Sequence, residues 1–280
     1  MKIKIWGTRG SIPAPGSEMS RYGGNTTCVE IRLADNTLII IDAGTGIRKL
    51  GQTLIGESGL KDINLFLTHS HWDHLQGFPF FIPAYSGAYT IRVHGGPLAR
   101  QSLKKYLAHQ MEPPFFPVNF RLLEACFEFD GGQTGTRRIA GATVTPIPLN
   151  HPNGGYGFEI CEGGKTFIFL TDNELGFSHP GGLSAADYAE RCRGADLVLH
   201  DAQYTDKEYE RTRGWGHSTY AAATRLAADA GVRRFGFCHH DPDRSDDELD
   251  TLVLECRQRL TRAGSDVDCF AVREGMELEV

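Results

Sequence analysis

LTHSHWDHLQGF, residues 67–78, sets three histidines and one aspartate within the six positions from His69 to His74. The largely apolar INLFL, residues 63–67, runs directly into it and reads as a buried strand. Four polar side chains at the mouth of such a strand need partners. His69 and His71 are two apart, while Asp73 and His74 are adjacent. In a tight strand-to-helix loop this spacing lets alternate residues aim at one centre and the next pair at a second. Neutral imidazole and carboxylate together suit a borderline divalent ion such as zinc.

Outward from this loop, the first half reads as strands joined by turns: residues 2–6 (KIKIW), 27–33, 36–42, 63–68 and 90–95. Further short apolar strands fall at 142–149, 165–171, 195–200 and 233–239. Helices are expected over 97–110, with Pro97 near the start, and over 184–193, with Ser184 as N-cap and Asp187 three residues on. Two more are expected over 218–231, capped by Ser218 and ending at Gly231, and over 245–264, opened by a Ser245/Glu248 capping box. Strands and helices mixed through both halves predict an α/β sandwich, sheet against sheet with helices outside. No linker or low-complexity tract divides residues 1–280, so one domain is expected. His69, Asp172, His200 and His239 each fall at or just after the end of an apolar strand, and His151 closely follows another. Strand ends are where α/β folds present ligands.

The 280 residues carry a formal net charge of −6, which argues against a surface built to grip long nucleic acid and leaves room for a small anionic substrate held by metal ions. Seven cysteines without a C-x-x-C pair read as free thiols of a reducing compartment. No apolar run reaches membrane-spanning length and no leader is apparent, so a cytoplasmic enzyme is the expectation.

THSHWDHLQG resembles the signature of the metallo-β-lactamase superfamily, whose later ligands come as His, Asp and His. His151 in PLNHPNGGYGFEI, Asp172 in IFLTDNE and His239 in FGFCHHDPD stand in that order. The resemblance covers essentially the whole chain and implies an αββα sandwich with two metal ions at one edge of the sheets. Carried over, one ion would take His69, His71 and His151, the other Asp73, His74 and His239, with Asp172 bridging. The adjacent His240 keeps the last assignment open at this stage. Asp42 in LIIIDAGTG matches a supporting aspartate of the family. Zn²⁺ is the expected metal, with Mn²⁺ or Fe²⁺ also compatible with the donors.

Two further stretches resemble the phosphodiesterase branch, represented by ribonuclease Z and the phosphoribosyl cyclic phosphate phosphodiesterases. GWGHSTYAAATRLA carries His217, and LVLHDAQYT carries Asp201 where that branch has a glutamate. The resemblance implies that His217, paired with Asp201, stabilises the phosphorane and protonates the leaving oxygen, while Asp73 and Asp172 hold the attacking hydroxide. Arg9 and Arg21, in segments similar to the start of those enzymes, are either phosphate contacts or solvated loop arginines. Ribonuclease Z carries a tRNA-gripping arm between its third and fourth ligand motifs, and the stretch between His151 and Asp172 leaves room for a strand hairpin and no arm. The expectation is therefore hydrolysis of a small, cyclic phosphodiester, with a lactonase or other acyl hydrolase as the alternative and tRNA 3′ processing behind it. No stable nucleic-acid or membrane partner is expected, and relatives often dimerise. QMEPPFFPV, residues 110–118, reads as a lid or pocket wall for a base or sugar ring, or else as a dimer contact or ordinary packing. His94, His109 and His179 are taken as structural.

Overall fold

The computed structural model describes residues 1–95, 103–129 and 135–280. Strands β1 (Lys2–Gly7), β2 (Cys28–Arg32), β3 (Leu38–Ile41), β4 (Asp62–Leu67), β5 (Thr90–Gly95) and β6 (Cys126–Phe129) precede β7 (Arg137–Ile139), β8 (Ala142–Pro148), β9 (Tyr156–Glu162) and β10 (Lys165–Leu170). β11 (Leu197–Asp201), β12 (Arg234–Cys238), β13 (Asp268–Ala271) and β14 (Glu277–Glu279) complete the set. Among the described residues they form two seven-stranded sheets, ordered β14-β1-β2-β3-β4-β5-β6 and β13-β12-β11-β10-β9-β8-β7. Each sheet is parallel at one end, β3 to β6 and β10 to β13, and antiparallel at the other. The helices are α1 (Gly46–Ile55), α2 (Leu103–His109), α3 (Ala185–Cys192), α4 (Asp206–Thr212), α5 (Tyr220–Ala230) and α6 (Asp246–Arg262).

The continuous apolar runs follow from strands buried on both faces. In β3, Leu38 and Ile40 pack with α1 residues Ile47, Leu50 and Leu54 in one core. Ile39 and Ile41 face the other way and meet Phe158, Phe167 and Phe169 of the second sheet. In β10 the alternation repeats: Phe167 and Phe169 point between the sheets, while Ile168 and Leu170 join α3, α5 and α6 residues such as Tyr188, Leu226 and Leu249. The result is the expected αββα sandwich.

Capping boxes at Ser184/Asp187 and Ser245/Glu248 start α3 and α6 as read from sequence, and Gly231 ends α5 in a left-handed conformation. The cap of α5 is Thr219 rather than Ser218. Ser218 is diverted inward, where its amide donates to Asp201 and its hydroxyl to Asn173 O. The start of the helix expected from Pro97 lies outside the described residues. Helices α1 and α4 and strands β6, β7, β13 and β14 were not among the expected elements, while β9 is the first strand of the hairpin expected between His151 and Asp172. Among the described residues no helix is long and apolar enough to cross a membrane. All seven cysteines are free.

Candidate metal centre

The parallel ends of both sheets open toward one edge, and there the chain bends sharply after three strands. Asp42 after β3, Asp172 after β10 and His239 after β12 all have positive φ, at 63°, 56° and 57°. Such left-handed backbone costs an L-residue roughly 1–2 kcal/mol and is held only where the surroundings fix it. The bends turn these side chains inward onto the loop after β4, where Trp72–His74 form a single 3-10 turn.

Seven side chains converge there. Ligand-capable atoms of His69, His71 and His151 lie within 4.8 Å of one another, as do those of Asp73, His74, Asp172 and His239. Asp172 stands between the groups. Its Oδ1 is 3.3 Å from His74 Nε2 and 3.2 Å from His239 Nε2, while its Oδ2 is 3.6 Å from His69 Nε2 and 3.8 Å from His151 Nε2. Asp73 Oδ2 closes the second group at 3.2 Å from His74 Nε2 and 3.1 Å from His239 Nε2. His71 Nδ1 closes the first at 3.0 Å from His151 Nε2. Donors around one tetrahedral ion with bonds of 2.0–2.2 Å stand roughly 3.4 Å apart, so both spacings fit an ion at each centre. His69 Nε2 and His74 Nε2 are buried without a hydrogen-bond partner, which leaves two imidazole lone pairs aimed into the cluster.

Outer partners fix each ring. His74 Nδ1 donates to Asp42 Oδ2 at 2.8 Å, and Asp42 also accepts from the Thr68 amide and hydroxyl. Thr68 Oγ1 sits 3.0 Å from His69 Nδ1, so one aspartate orients two rings. His151 Nδ1 donates to Gly216 O at 3.1 Å, His239 Nδ1 donates to Gln203 Oε1 at 3.1 Å, and Ser11 N donates to Asp73 Oδ2. These contacts commit the inner-facing nitrogens of His74, His151 and His239 to the centre. Burial lowers the imidazole pKa of His69 and pushes that of His151 down to about 4, so both are neutral donors at pH 7. Burial opposes a charge on Asp172 as well, but the facing rings of His239, His74 and His69 hold its carboxyl well below the ordinary range.

His240 turns away. Its Nε2 bonds Val272 O at 2.9 Å, its ring meets Tyr22 edge-on, and burial pushes its pKa down to about 3. The geometry thus brings His239, not His240, into the cluster. Arg9 is neither a solvated arginine nor exposed to the centre. It is fully buried, bonding Gly23 O, Asp241 O and Arg244 O, and it ties the N-terminal loop to the turn after β12. Arg21 pairs on the surface with Asp247 and Asp250. His200, at another strand end, faces Asn173 instead of the cluster.

His217 borders both groups: a ring nitrogen joins His151 and Asp172 within 4.8 Å, and its ring stacks on His239 at a centroid distance of 4.8 Å. Asp201 Oδ2 stands 3.5 Å from His217 Nδ1, which has no hydrogen-bond partner. The two Asp201 oxygens accept from the amides of Asn173 and Ser218, so this aspartate also ties the residue after His217 to the residue after Asp172.

Glu174 was not singled out in the sequence. It is fully buried two residues after Asp172, and accepts from Tyr209 Oη (2.6 Å), Gly214 N (2.7 Å), Gly216 N (2.8 Å) and His179 Nε2 (2.9 Å). Burial alone would raise its pKa, but the four donors outweigh burial and lower it. The carboxylate clamps the 214–216 loop that carries both the acceptor for His151 and the approach to His217. Gly216 has φ +97°, and a Cβ there would lie 1.9 Å from His151 Nδ1, so only glycine fits. The acidic residue of TDNE was the available signal, though its partners are scattered through the chain.

Between His151 and Asp172 the chain is a tight hairpin of β9 and β10 turning at Gly163 and Gly164, with no further insertion.

A family model described as Beta-lactamase superfamily domain matches residues 37–240. Ribonuclease Z of Haloferax volcanii is 24% identical over an alignment covering all of this chain and 95% of that protein. The metallo-beta-lactamase fold protein YhfI from Bacillus subtilis superposes with TM-score 0.70 at 16% identity, covering 100% of this chain and 99% of that one. A diphosphatase from the PhnP family superposes with TM-score 0.67 at 19% identity, covering 100% and 97%. With a family match across most of its length, this fold and a His/Asp cluster able to bind metal, the chain belongs to the β-lactamase superfamily as a metallo-hydrolase.

Proposed function

We propose that the protein is a metal-dependent phosphodiesterase acting on a small, cyclic phosphodiester. His69, His71 and His151 would hold one divalent ion, Asp73, His74 and His239 the other, and Asp172 would bridge them, with Zn²⁺ favoured by the imidazole-rich donor set. Such ions supply Lewis acidity and a nucleophilic water at neutral pH. The observation that carries the phosphodiesterase reading is His217, which overlooks the cluster from outside both ligand groups.

The His217 ring would stabilise charge on phosphoryl oxygens and give a proton to the departing alkoxide. Asp201 is the positioning residue for it, through the Ser218 amide next in the chain and the 3.5 Å approach to Nδ1. Asp73 and Asp172, whose carboxylates face the inner histidine nitrogens, would orient the attacking water. An acyl hydrolase would need the metals but not this extra acid. The relatives named ribonuclease Z favour a second reading, RNA processing, while the plain β9–β10 hairpin and the net charge of −6 favour a small substrate. Free thiols are consistent with a cytoplasmic setting.

The test is turnover by metal-loaded protein of bis-p-nitrophenyl phosphate, 2′,3′- and 3′,5′-cyclic nucleotides, a lactone and a precursor tRNA. Phosphodiester cleavage that falls about 10²- to 10⁴-fold in His217→Ala supports the reading. Lactone turnover indifferent to His217, with no phosphodiester cleaved, moves the protein to acyl hydrolysis. Endonucleolytic cleavage of the tRNA above all small substrates moves it to RNA processing.

A further inference from the structure

One flank of the metal centre is aromatic. A groove of about 810 Å³ begins at Ser70 and His71 and runs outward between the loop after β4 and α2. Its walls include Trp72, Phe80, Tyr106, Phe115 and Phe116. Trp72 is 72% exposed, Phe115 65% and Phe80 53%, although large aromatic faces are normally withdrawn from water. They are not scattered singly but share one groove, and Phe80 meets Phe116 edge-to-face at 5.5 Å, which braces the wall.

Three features identify the occupant. The groove is continuous with the reaction centre, because His71 belongs both to the groove lining and to the first ligand group. No Asp, Glu, Lys or Arg is among its described lining residues, so it selects a neutral group. Its polar lining includes the amides of Gln76, Gln110 and Asn153, and Gln110 Nε2 is buried with no hydrogen-bond partner. A donor left unpaired in an aromatic groove is matched by an acceptor on the edge of a flat ring. A simple aliphatic chain would leave that donor unmet. On the opposite flank, the pocket around His217 is lined with charged groups including Lys207, Glu210, Arg211 and Asp243, which would receive a polar arm instead.

We propose that this groove binds the heterocyclic base of a nucleoside phosphodiester, with the phosphoryl group at the metal centre; the proposal rests on the phosphodiesterase reading and narrows it from cyclic phosphodiesters in general to nucleoside ones. Trp72 and Phe115 cover the ring faces and Gln110 binds the ring edge. QMEPPFFPV is in this account a pocket wall.

The experiment has two arms on metal-loaded protein. In the first, adenosine, which has no phosphate to cleave, is titrated while tryptophan fluorescence is followed. Saturable quenching is expected, lost in Trp72→Phe and weakened roughly 5- to 100-fold in Phe115→Ala, the range for removing one base-stacking ring. In the second, kcat/KM is compared for adenosine 2′,3′-cyclic phosphate and glycerol 1,2-cyclic phosphate, which lacks a base. The wild-type preference for the nucleotide should shrink by the same factor in Phe115→Ala, through KM. Equal turnover of the two substrates without saturable quenching overturns the subsite and leaves the phosphodiesterase reading standing. Saturable adenosine binding with neither substrate cleaved retains the subsite and removes that reading. A groove covered by a second copy of the chain would show no saturable quenching and would likewise overturn the subsite.

Discussion

Replacing Glu174 by Gln tests whether a carboxylate outside the ligand set holds the site in shape. The four donors reach it in two pairs: Tyr209 Oη and Gly214 N on Oε1, His179 Nε2 and Gly216 N on Oε2. Glutamine keeps one acceptor oxygen, so only one pair stays satisfied. Its best orientation turns the new NH₂ toward Tyr209, whose hydroxyl can rotate to accept, and leaves the Gly214 amide without a partner. Hydrogen bonds to a charged group are worth about 1.5–3 kcal/mol each, and a buried unpaired donor adds about 1–3 kcal/mol, partly offset because a neutral amide is cheaper to bury. The expected net loss is about 2–4 kcal/mol of a total near 5–15 kcal/mol. Urea denaturation of the metal-loaded protein reads this as a lower midpoint at unchanged slope. The same change frees the Gly214 amide two residues before Gly216, whose carbonyl holds His151, so metal affinity or kcat should fall about 10- to 100-fold. A variant with the wild-type midpoint, metal affinity and kcat would refute the clamp.

Three further outcomes are expected. Tyr188 is fully buried, donates to Pro148 O at 2.7 Å, and burial pushes its pKa up to about 12. The folded state keeps a proton that the unfolded chain, with a tyrosine pKa near 10, releases, so stability present below pH 10 is lost as pH rises toward 12, by about 3 kcal/mol. Tyr188→Phe should flatten alkaline unfolding curves over that window, and an unchanged slope would count against the assignment. Gly216→Ala places a methyl 1.9 Å from His151 Nδ1 and should lower metal affinity at least about tenfold in a competition titration. Chelation should lower the thermal midpoint by roughly 10 °C, since it removes ions bound only by the folded state and leaves Asp73 and Asp172 buried among histidines.

The strands were legible because a run such as LIII of β3 is apolar on both faces, a pattern only a doubly covered strand can use. The cluster was legible for a related reason: its residues follow such runs closely, so finding the strands located the candidate ligands. Helix α1 was not legible. It has no side-chain cap and carries Gly46 and Gly51, yet Gly51 is there because a Cβ would press on Phe81, a tertiary fact without a local trace. Arg9 was misread for the same reason. Its acceptors lie at 23, 241 and 244, and nothing near position 9 announces that the side chain is buried. Ser218 had the composition of a cap and lost the role to Thr219 because Asn173 and Asp201 claim it from another strand. Glu174 gathers donors from three separate segments, so its function exists only in the folded chain.

The most direct test of the account is a metal titration of the apoprotein, following hydrolysis of bis-p-nitrophenyl phosphate as Zn²⁺ or Mn²⁺ is added, beside Asp172→Ala. Turnover should plateau at two equivalents per chain and be absent from the variant, whose missing carboxylate faces both groups. Full turnover at one equivalent, or turnover that survives chelation or the loss of Asp172, would contradict a paired centre bridged by that residue.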